Sequence, residues 1–236
     1  MHQLSQFKIV TLEGVSEIYG DRRLRVDALK DVNLEIDRGE FIGIMGPSGS
    51  GKTTLLNVIG CLQRPTEGRI MLRGQDISSL SAGELAGIRA RVLGFIFQSR
   101  SLLPGLSVLK NVELPFAFLS GKERPGSKSP KDRAMKLLGL VGLEKRAEHR
   151  PNELSAGEYQ RVAVARALMN DPPVILADEP TGNLDSQTGR ELIVLLNELN
   201  ESGKTLVVVT HDPEVVSSAR IRMTMRDGIL RKDWEL

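Results

Sequence analysis

The segment GPSGSGKT occupies residues 46–53 and stands between two segments of different character. Residues 41–45, FIGIM, form an apolar run that predicts a buried strand, and residues 54–62 have helical spacing. Glycines in such a turn let backbone N–H groups approach phosphate oxygens without a Cβ in the way, and a helix N-terminus adds favourable partial charge. The segment and its setting therefore predict a phosphate-binding loop, or P-loop.

The side chains of this loop have distinct predicted roles. Lys52 is expected to contact the β- and γ-phosphates of a nucleotide, and the Thr53 hydroxyl is expected to ligate Mg²⁺. A coincidental match in a glycine-rich turn is the alternative, and the strand-to-helix setting disfavours it. The residues predicted to contact the nucleotide in this segment are Gly46, Pro47, Ser48, Gly49, Ser50, Gly51, Lys52, Thr53 and Thr54.

A second apolar run, VILA at residues 174–177, ends in two acids. Ligands of open α/β sheets bind at the carboxyl ends of the strands. Asp178 is therefore predicted to hold Mg²⁺, either directly or through one of the ligands of the ion, and Glu179 to be the base or the orienter of the water that attacks the γ-phosphate. An isolated Asp-Glu-Pro is more often a solvated turn, but the P-loop upstream favours the catalytic interpretation.

The rest of the chain alternates short apolar runs with segments of helical period, which predicts an α/β fold with a parallel core sheet. The predicted core strands are residues 41–45, 93–97, 174–177 and 206–209. Alternating and β-branched runs in the first forty residues predict an antiparallel β layer before the core. A mainly helical region at residues 107–150 interrupts the alternation. We predict one domain, residues 1–236, with an inserted helical subdomain at about residues 102–156.

The composition narrows the class of protein. With 236 residues and 40% apolar side chains, the chain can bury a large core. A net charge of +2 does not indicate a nucleic-acid partner, and the basic residues of 131–150, including Arg133 and Arg146, are interleaved with acids as on a solvated helix face. No apolar run approaches the roughly 18 residues of a membrane span, and residues 1–10 lack the pattern of a leader. A cytoplasmic chain that binds no nucleic acid is therefore expected.

A third segment, LSAGE at residues 154–158, precedes YQR and a helical run. With the P-loop, the acidic strand and this order, the sequence resembles the ATP-binding-cassette ATPases over essentially its whole length. The resemblance implies that Ser155 and Gly157, at a helix N-terminus, cap the γ-phosphate held by a second copy of the chain. Two positions depart from the common signature. Ala156 replaces a glycine, and Glu158 replaces a glutamine and brings a negative charge toward the phosphate site unless it points away.

The same resemblance assigns roles to single residues elsewhere in the chain. Gln98 matches a glutamine that contacts Mg²⁺ and water, and His211 matches the histidine that holds the γ-phosphate and the water. Asp185 matches a residue that links the two sites of a dimer, and Tyr19 lies where the family has an aromatic ring that stacks on adenine. Each match would be weak alone, but all of them occur in the order of the family.

Residues 60–68 (GCLQRPTEG) and 95–115 resemble the lipoprotein-release and macrolide-export ATPases, although that subgroup often has Asp where this chain has Gln63. The resemblance implies a Mg²⁺-dependent ATPase that pairs head to tail with a second copy. It also implies a transmembrane permease as partner and a peripheral position on the cytoplasmic face of the membrane. Because the sequence ends soon after its last predicted strand, the permease is expected to be a separate polypeptide.

Other functions remain open at this level. A regulatory ATPase of the cell-division type, which signals through a membrane partner without moving cargo, would carry identical motifs. A soluble factor that acts on ribosomes or DNA is a further alternative, but such relatives usually carry two cassettes or long insertions. A P-loop kinase is disfavoured because it would not need the LSAGE segment.

Overall fold

The computed structural model describes residues 8–20, 24–98, 101–119 and 129–232. Residues 1–7, part of the segment expected to lack a leader, lie outside the described residues. The described strands form a four-stranded and a six-stranded sheet. In chain order they are β1 Lys8–Tyr19, β2 Val26–Asp37, β3 Phe41–Met45, β4 Glu67–Leu72, β5 Gln75–Asp76, β6 Leu93–Ile96, β7 Val174–Asp178, β8 Thr205–Thr210, β9 Ile221–Arg226 and β10 Ile229–Lys232.

The six-stranded sheet is the core and has the order β10-β9-β3-β8-β7-β6. Strand β3 is parallel to β8 and β9, β7 is parallel to β6 and β8, and β10 is antiparallel to β9. Every residue of β8 is buried, as expected of a strand covered on both faces. The predicted parallel core is confirmed, and the four strands that the sequence predicts, β3, β6, β7 and β8, lie within one residue of their predicted bounds. Strands β9 and β10 of the same sheet are not predicted by the sequence. Because β3, β8 and β7 are neighbours, the segments that follow them meet at one edge of the sheet.

The described α-helices pack against the sheets or against one another. In chain order they are α1 Lys52–Ile59, α2 Ala82–Val92, α3 Val108–Glu113, α4 Pro130–Leu140, α5 Ala156–Ala167, α6 Ser186–Glu201 and α7 Pro213–Ser218. Helix α1 begins two residues before its predicted start because Gly51, with φ 105°, is its N-cap. It also ends before the predicted residue 62, because Cys61 adopts a left-handed φ of 55° just beyond Gly60.

The four-stranded sheet has the order β2-β1-β4-β5 and is antiparallel throughout. Its buried residues, such as Val10 and Leu12, share one apolar core with Ile44 of β3 and Leu55 of α1. The predicted antiparallel layer before the core is therefore confirmed. It lies against α1, the helix that follows the P-loop.

Helices α3 and α4 pack against α5, together with short 3-10 segments at Leu114–Phe118, Glu144–Arg146 and Pro151–Glu153. The helical region occurs where the sequence predicts it, and the division at about residues 102–156 stays a prediction. Two residues of the basic stretch, Arg133 and Arg146, also contact the rest of the chain. The Arg133 guanidinium donates to the carbonyl oxygens of Leu168 and Met169, and Arg146 forms an ion pair with Glu158. Within the described ranges, no helix is both long and apolar enough to cross a bilayer.

Candidate active site

The loop between β3 and α1 is shaped by its glycines. At Gly51 a Cβ would lie 2.3 Å from the carbonyl oxygen of Ala28, and at Gly46 it would lie 2.2 Å from that of Met225. A side chain at either position would force the loop out of this path. In the part of the chain that the structure describes, no side chain caps the start of α1. The first N–H groups of the helix therefore point into the loop, which makes it an anion site.

Lys52 lies inside the curve of this loop. Its Nζ donates to the carbonyl oxygens of Gly46 and Pro47, at 2.7 Å and 3.0 Å, and lies 3.8 Å from Oε1 of Glu179. Only 7% of the residue is exposed. The ammonium is therefore held between the loop and the acid that follows β7, and its contact with the β- and γ-phosphates stays a prediction.

Asp178 and Thr53 meet across the first turn of α1. The Thr53 hydroxyl donates to Oδ2 of Asp178 at 3.0 Å, whereas Oδ1 of Asp178 is buried without a hydrogen-bond partner among the described residues. Burial raises the pKa of Asp178, the hydrogen bond from Thr53 and the charge of Lys52 lower it, and the carboxylate of Glu179 raises it. A cation bound at Oδ1 would therefore stabilise the ionised carboxylate of Asp178.

These two residues fit Mg²⁺. A hydroxyl and a carboxylate are hard oxygen ligands, and Mg²⁺ is usually bound by one or two carboxylates together with substrate phosphates and water. No group of three or more His, Cys, Asp or Glu residues within the described ranges could hold a metal ion by itself. A hydroxyl and one carboxylate supply only part of the octahedral shell of Mg²⁺, so the Thr53–Asp178 pair suits a metal that phosphate oxygens also hold.

Glu179 connects the ends of β7 and β8. Its Oε2 accepts hydrogen bonds from the Thr210 hydroxyl at 2.9 Å and from the His211 backbone N–H at 3.1 Å, and Nδ1 of the His211 ring lies 2.9 Å away. The backbone of Glu179 has φ 45° and donates to the carbonyl oxygen of Val209 at 2.8 Å. Such a φ is uncommon for a residue with a side chain and marks a backbone that its surroundings fix.

Three residues of this cluster are not identified by the motifs. Thr210 holds the Glu179 carboxylate and also accepts the backbone N–H of Asp212 at 3.0 Å. The Thr181 hydroxyl donates to Asp212 at 2.8 Å and so connects the segments after β7 and β8. The available sequence signal for Thr210 is a threonine that ends an otherwise apolar strand.

Gln98 lies beside the segment that follows Glu179. Its backbone oxygen accepts from the Asn183 side chain at 3.1 Å, and a Cβ at Gly182 would lie 3.3 Å from its Nε2. A cleft of ≈ 680 Å³ extends from Gln98 and Asn183 to Ser155 and Tyr159. Ser155 at the start of α5 and Gln98, which follows β6, therefore line the same cleft.

Ser155 is the N-cap of α5 and forms a capping box with Glu158. Its Oγ accepts the Glu158 backbone N–H at 3.3 Å, and Oε2 of Glu158 accepts the Ser155 backbone N–H at 2.9 Å. The other oxygen of Glu158 accepts from Arg146 Nε at 3.0 Å. The backbone hydrogen bond from Ser155 is the main cause that lowers the pKa of Glu158, with a further contribution from Arg146. The carboxylate thus points back into its own chain, where its charge is compensated.

Gly157, Asp185 and Tyr19 complete the set of predicted residues. A Cβ at Gly157 would lie 2.3 Å from Cγ2 of Thr188, so α5 and α6 begin in close contact. Asp185 is the N-cap of α6, and its pKa is lowered chiefly by the hydrogen bond from the Thr188 side chain. Tyr19 ends β1 with 40% of its surface exposed, and its hydroxyl contacts Thr54 and Gln63. Roles of these residues toward a nucleotide or a second copy stay predictions.

Comparison with known proteins decides the family. The family model described as ABC transporter matches residues 29–182, which is more than half of the chain. The chain belongs to the ABC transporter family. The resemblance drawn from its motifs is thereby confirmed, and the chain is an ATPase with the α/β fold of the ABC cassettes.

Two relatives illustrate the range of ABC proteins that resemble it. An uncharacterized ABC transporter ATP-binding protein of Thermotoga maritima is 51% identical over 223 residues, which cover 94% of this chain and 93% of the relative. A macrolide export ATP-binding/permease protein, MacB, of Rhodopseudomonas palustris is 48% identical over 224 residues, which cover 95% of this chain. The chain spans only 34% of the length of that relative.

Solved structures agree with this assignment. The ABC cassette MJ0796 of Methanocaldococcus jannaschii, in a structure described as dimeric, has a TM-score of 0.85 at 46% identity and covers 96% of this chain and 100% of its own. A second structure of the same cassette has the same TM-score and is described as a post-hydrolysis dimer bound to ADP and Pi.

Proposed function

We propose that this chain binds ATP with Mg²⁺ and hydrolyses it as one half of a head-to-tail pair, and that the pair drives a separate transmembrane permease. The observation that carries the proposal is the position of the Glu179 carboxylate. It accepts hydrogen bonds from Thr210 and His211 and lies beside the ammonium of Lys52. Phosphate, attacking water and base can therefore meet at one edge of the central sheet.

Phosphate binding rests on the P-loop and Lys52. The N–H groups at the start of α1 supply donors and favourable partial charge. The ammonium of Lys52, held by the carbonyl oxygens of Gly46 and Pro47, supplies the positive charge that the β- and γ-phosphates need. Tyr19, partly exposed at the end of β1, offers a ring on which the adenine stacks.

Thr53 and Asp178, with Gln98, are the residues that would hold Mg²⁺. The buried and unpaired Oδ1 of Asp178 and the nearby Thr53 hydroxyl support this assignment. When bound, the metal ion neutralises negative charge on the phosphates of the nucleotide.

Glu179 is proposed to orient the attacking water by accepting a hydrogen bond from it. The oxygen of the water forms a bond to the γ-phosphorus as the bond to the β–γ bridging oxygen breaks. The proton that the water loses passes to the Glu179 carboxylate and from there to the released phosphate, and the products are ADP and phosphate. The ring of His211, whose Nδ1 lies 2.9 Å from Oε2 of Glu179, is proposed to hold the γ-phosphate and the water. Little covalent help is needed, because phosphoryl transfer depends mainly on positioning and charge.

A second copy is proposed to complete each site with Ser155, Gly157 and Asp185. Ser155 is exposed at the start of α5, where a helix N-terminus favours a negatively charged ligand. The dimeric structures of a cassette that is 46% identical support the pairing. ATP then lies between two chains, and its hydrolysis lets them separate.

The proposal also includes a permease as partner and a position of this chain on the cytoplasmic face of the membrane. The MacB relatives support the permease as a partner, since the name of those proteins joins an ATP-binding part with a permease. We propose that the helical region at about residues 102–156, next to Gln98, contacts the permease. Purification of the chain from its native membranes tests this. A polytopic permease that comes with it supports the proposal, and ribosomal or DNA-repair partners contradict it.

The Glu179→Gln variant tests the shared site. The amide keeps the size of the side chain but removes the carboxylate, so ATP should bind without turnover and hold two chains together. We expect light scattering to give the mass of two chains with ATP and Mg²⁺ and of one chain without nucleotide. Glu201→Gln, at an exposed position at the end of α6, is the control and should hydrolyse ATP as the parent does. A Glu179→Gln chain that binds ATP but stays monomeric would contradict the shared-site proposal.

A further inference from the structure

The hydroxyl of Tyr19 is held by a chain of side chains from two parts of the fold. Its oxygen lies 2.7 Å from Oε1 of Gln63 and 3.4 Å from Oγ1 of Thr54. Nε2 of Gln63 lies 2.6 Å from Oε1 of Glu17, and Oε2 of Glu17 accepts from the backbone N–H of Thr66 at 2.9 Å and from its hydroxyl at 3.3 Å. We call these five residues the tyrosine anchor.

The chemistry of Glu17 fixes the direction of these hydrogen bonds. A carboxylate only accepts, so the amide nitrogen of Gln63 faces Glu17 and the amide oxygen faces Tyr19. Tyr19 therefore donates to Gln63, and its oxygen is left to accept from Thr54. Glu17 is 6% exposed, so rotation of the Gln63 amide would leave a buried oxygen unpaired.

The tyrosine anchor ties the ring to both ends of α1. Thr54 lies in the first turn of the helix, beside the P-loop, and Gln63 lies just beyond its last turn. The backbone N–H of Gln63 donates to the carbonyl oxygen of Asn57 at 3.3 Å, so its position follows that of the helix. One rigid element thus sets where the Tyr19 ring stands relative to the phosphate loop.

We propose that Gln63 is a positioning residue for nucleotide binding, which locks the Tyr19 ring in the orientation that receives the base before the nucleotide arrives. The inference rests on the proposed role of Tyr19 as the base platform and adds a second residue to it. A tyrosine with 40% of its surface exposed exchanges between rotamers unless something holds it. Holding it beforehand removes an ordering cost from binding.

The Gln63→Met variant tests the proposal, because it keeps the length of the side chain and removes both polar groups. Affinities for ATP and for inorganic tripolyphosphate are measured by titration calorimetry with a chelator present, which prevents turnover. Loss of one neutral hydrogen bond should weaken ATP binding by about threefold to tenfold. Tripolyphosphate has no base, so its affinity should not change. In steady-state hydrolysis, KM for ATP should rise by a similar factor while kcat stays the same.

Two further variants check that the effect passes through the tyrosine hydroxyl. Tyr19→Phe keeps the ring and removes the hydroxyl, so it should match Gln63→Met. The double variant should be no weaker than either single one, because both remove the same hydrogen bond. Gln75→Met, an exposed glutamine on β5, is the matched control and should bind ATP as the parent does.

Contrary results are distinguishable from failure of the proposed function. If Gln63→Met weakens ATP and tripolyphosphate equally, or changes neither affinity, the positioning role is wrong. Tyr19→Ala tests the platform itself and should weaken ATP binding by about tenfold or more, with tripolyphosphate unaffected. If Tyr19→Ala has that effect and Gln63→Met does not, only the inference about Gln63 fails. If Tyr19→Ala has no effect, the base platform fails and the inference fails with it.

Discussion

The carboxylate of Asp178 ends an otherwise buried strand, and its burial raises its pKa. A raised pKa means that the folded chain takes up this proton more readily than the unfolded chain does. The ionised form of Asp178 therefore lowers the free energy of unfolding at neutral pH. This destabilisation decreases as the pH falls and the carboxylate is protonated. One oxygen is paired with Thr53 and the other has no hydrogen-bond partner among the described residues. The residue that suits a cation best thus weakens the nucleotide-free fold.

We therefore predict that Asp178→Asn stabilises the nucleotide-free protein while it removes Mg²⁺-dependent hydrolysis. The amide has the same shape, carries no charge and still accepts from Thr53. A gain of about 1 kcal/mol would raise Tm by about 2–4 °C for a chain of this size. Calorimetry and a phosphate-release assay measure the two effects. A lower Tm would show that the charge of Asp178 does not oppose folding.

Asp185→Asn is the matched control for this substitution. Hydrogen bonds from Thr188 and Gln187 lower the pKa of Asp185, so its ionised form stabilises the folded chain. The ionised form of Asp178 has the opposite effect on stability. The amide is also a good N-cap. No rise in Tm is expected for this variant.

The start of α5 shows how an element can carry a functional side chain. Its N-cap Ser155 and Glu158 bind each other reciprocally, and Arg146 holds the second oxygen of Glu158. The negative charge of Glu158 therefore stabilises the N-terminus of α5. A capping box does not require Glu158, since glutamine serves the same purpose.

We predict that Glu158→Ala lowers stability by about 0.5–1 kcal/mol, because one half of the capping box is lost. When it is introduced into the Glu179→Gln chain, Glu158→Ala should also weaken ATP-dependent association, because the Ser155 backbone N–H loses its hydrogen bond to Glu158. Glu158→Gln keeps the reciprocal bond and should associate nearly as the parent does. Sedimentation with ATP and Mg²⁺ measures the association.

Helix α2 offers the control for this prediction. Ser81 and Glu84 form the same capping box, with the two reciprocal bonds at 3.3 Å and 2.8 Å. Glu84→Ala should lose similar stability and leave association unchanged. Equal loss of association in Glu84→Ala and Glu158→Ala would mean that general stability, and not the position of Ser155, explains the effect.

At the scale of the whole molecule, the order of strands brings distant segments together. Strand β8 lies between β3 and β7, so the segments after these three strands share one edge. Lys52, Asp178 and His211 meet there, although β7 and β8 follow β3 by more than a hundred residues. A nucleotide bound at this edge would contact all three segments and stabilise the fold as a unit.

We predict that ATP with Mg²⁺ raises the Tm of the parent chain and not that of Lys52→Ala. At ATP a hundred times above its dissociation constant, binding stabilises the folded state by about 2.7 kcal/mol. For a chain of this size, that corresponds to a rise in Tm of about 5–10 °C. Thermal unfolding monitored by circular dichroism measures the shift. Lys136→Ala, on an exposed part of α4, should respond to ATP as the parent does, and an equal shift in Lys52→Ala would contradict the phosphate role of Lys52.

The sequence by itself determined the elements and the motifs. The P-loop, the acidic strand end and the LSAGE segment are local patterns, since backbone conformation and side-chain period are set by residues close in the chain. The bounds of β3, β6, β7 and β8 could be predicted to within one residue for the same reason, whereas β9 and β10 were not predicted.

Only the tertiary structure decided which side chains meet. Thr210 and His211 hold Glu179 because β7 and β8 are neighbours in the sheet, and Gln63 reaches Tyr19 because α1 packs against the antiparallel layer. No local pattern contains these contacts, since they join residues that are 31 and 44 positions apart. Their geometry follows from strand order and packing, which are properties of the whole chain.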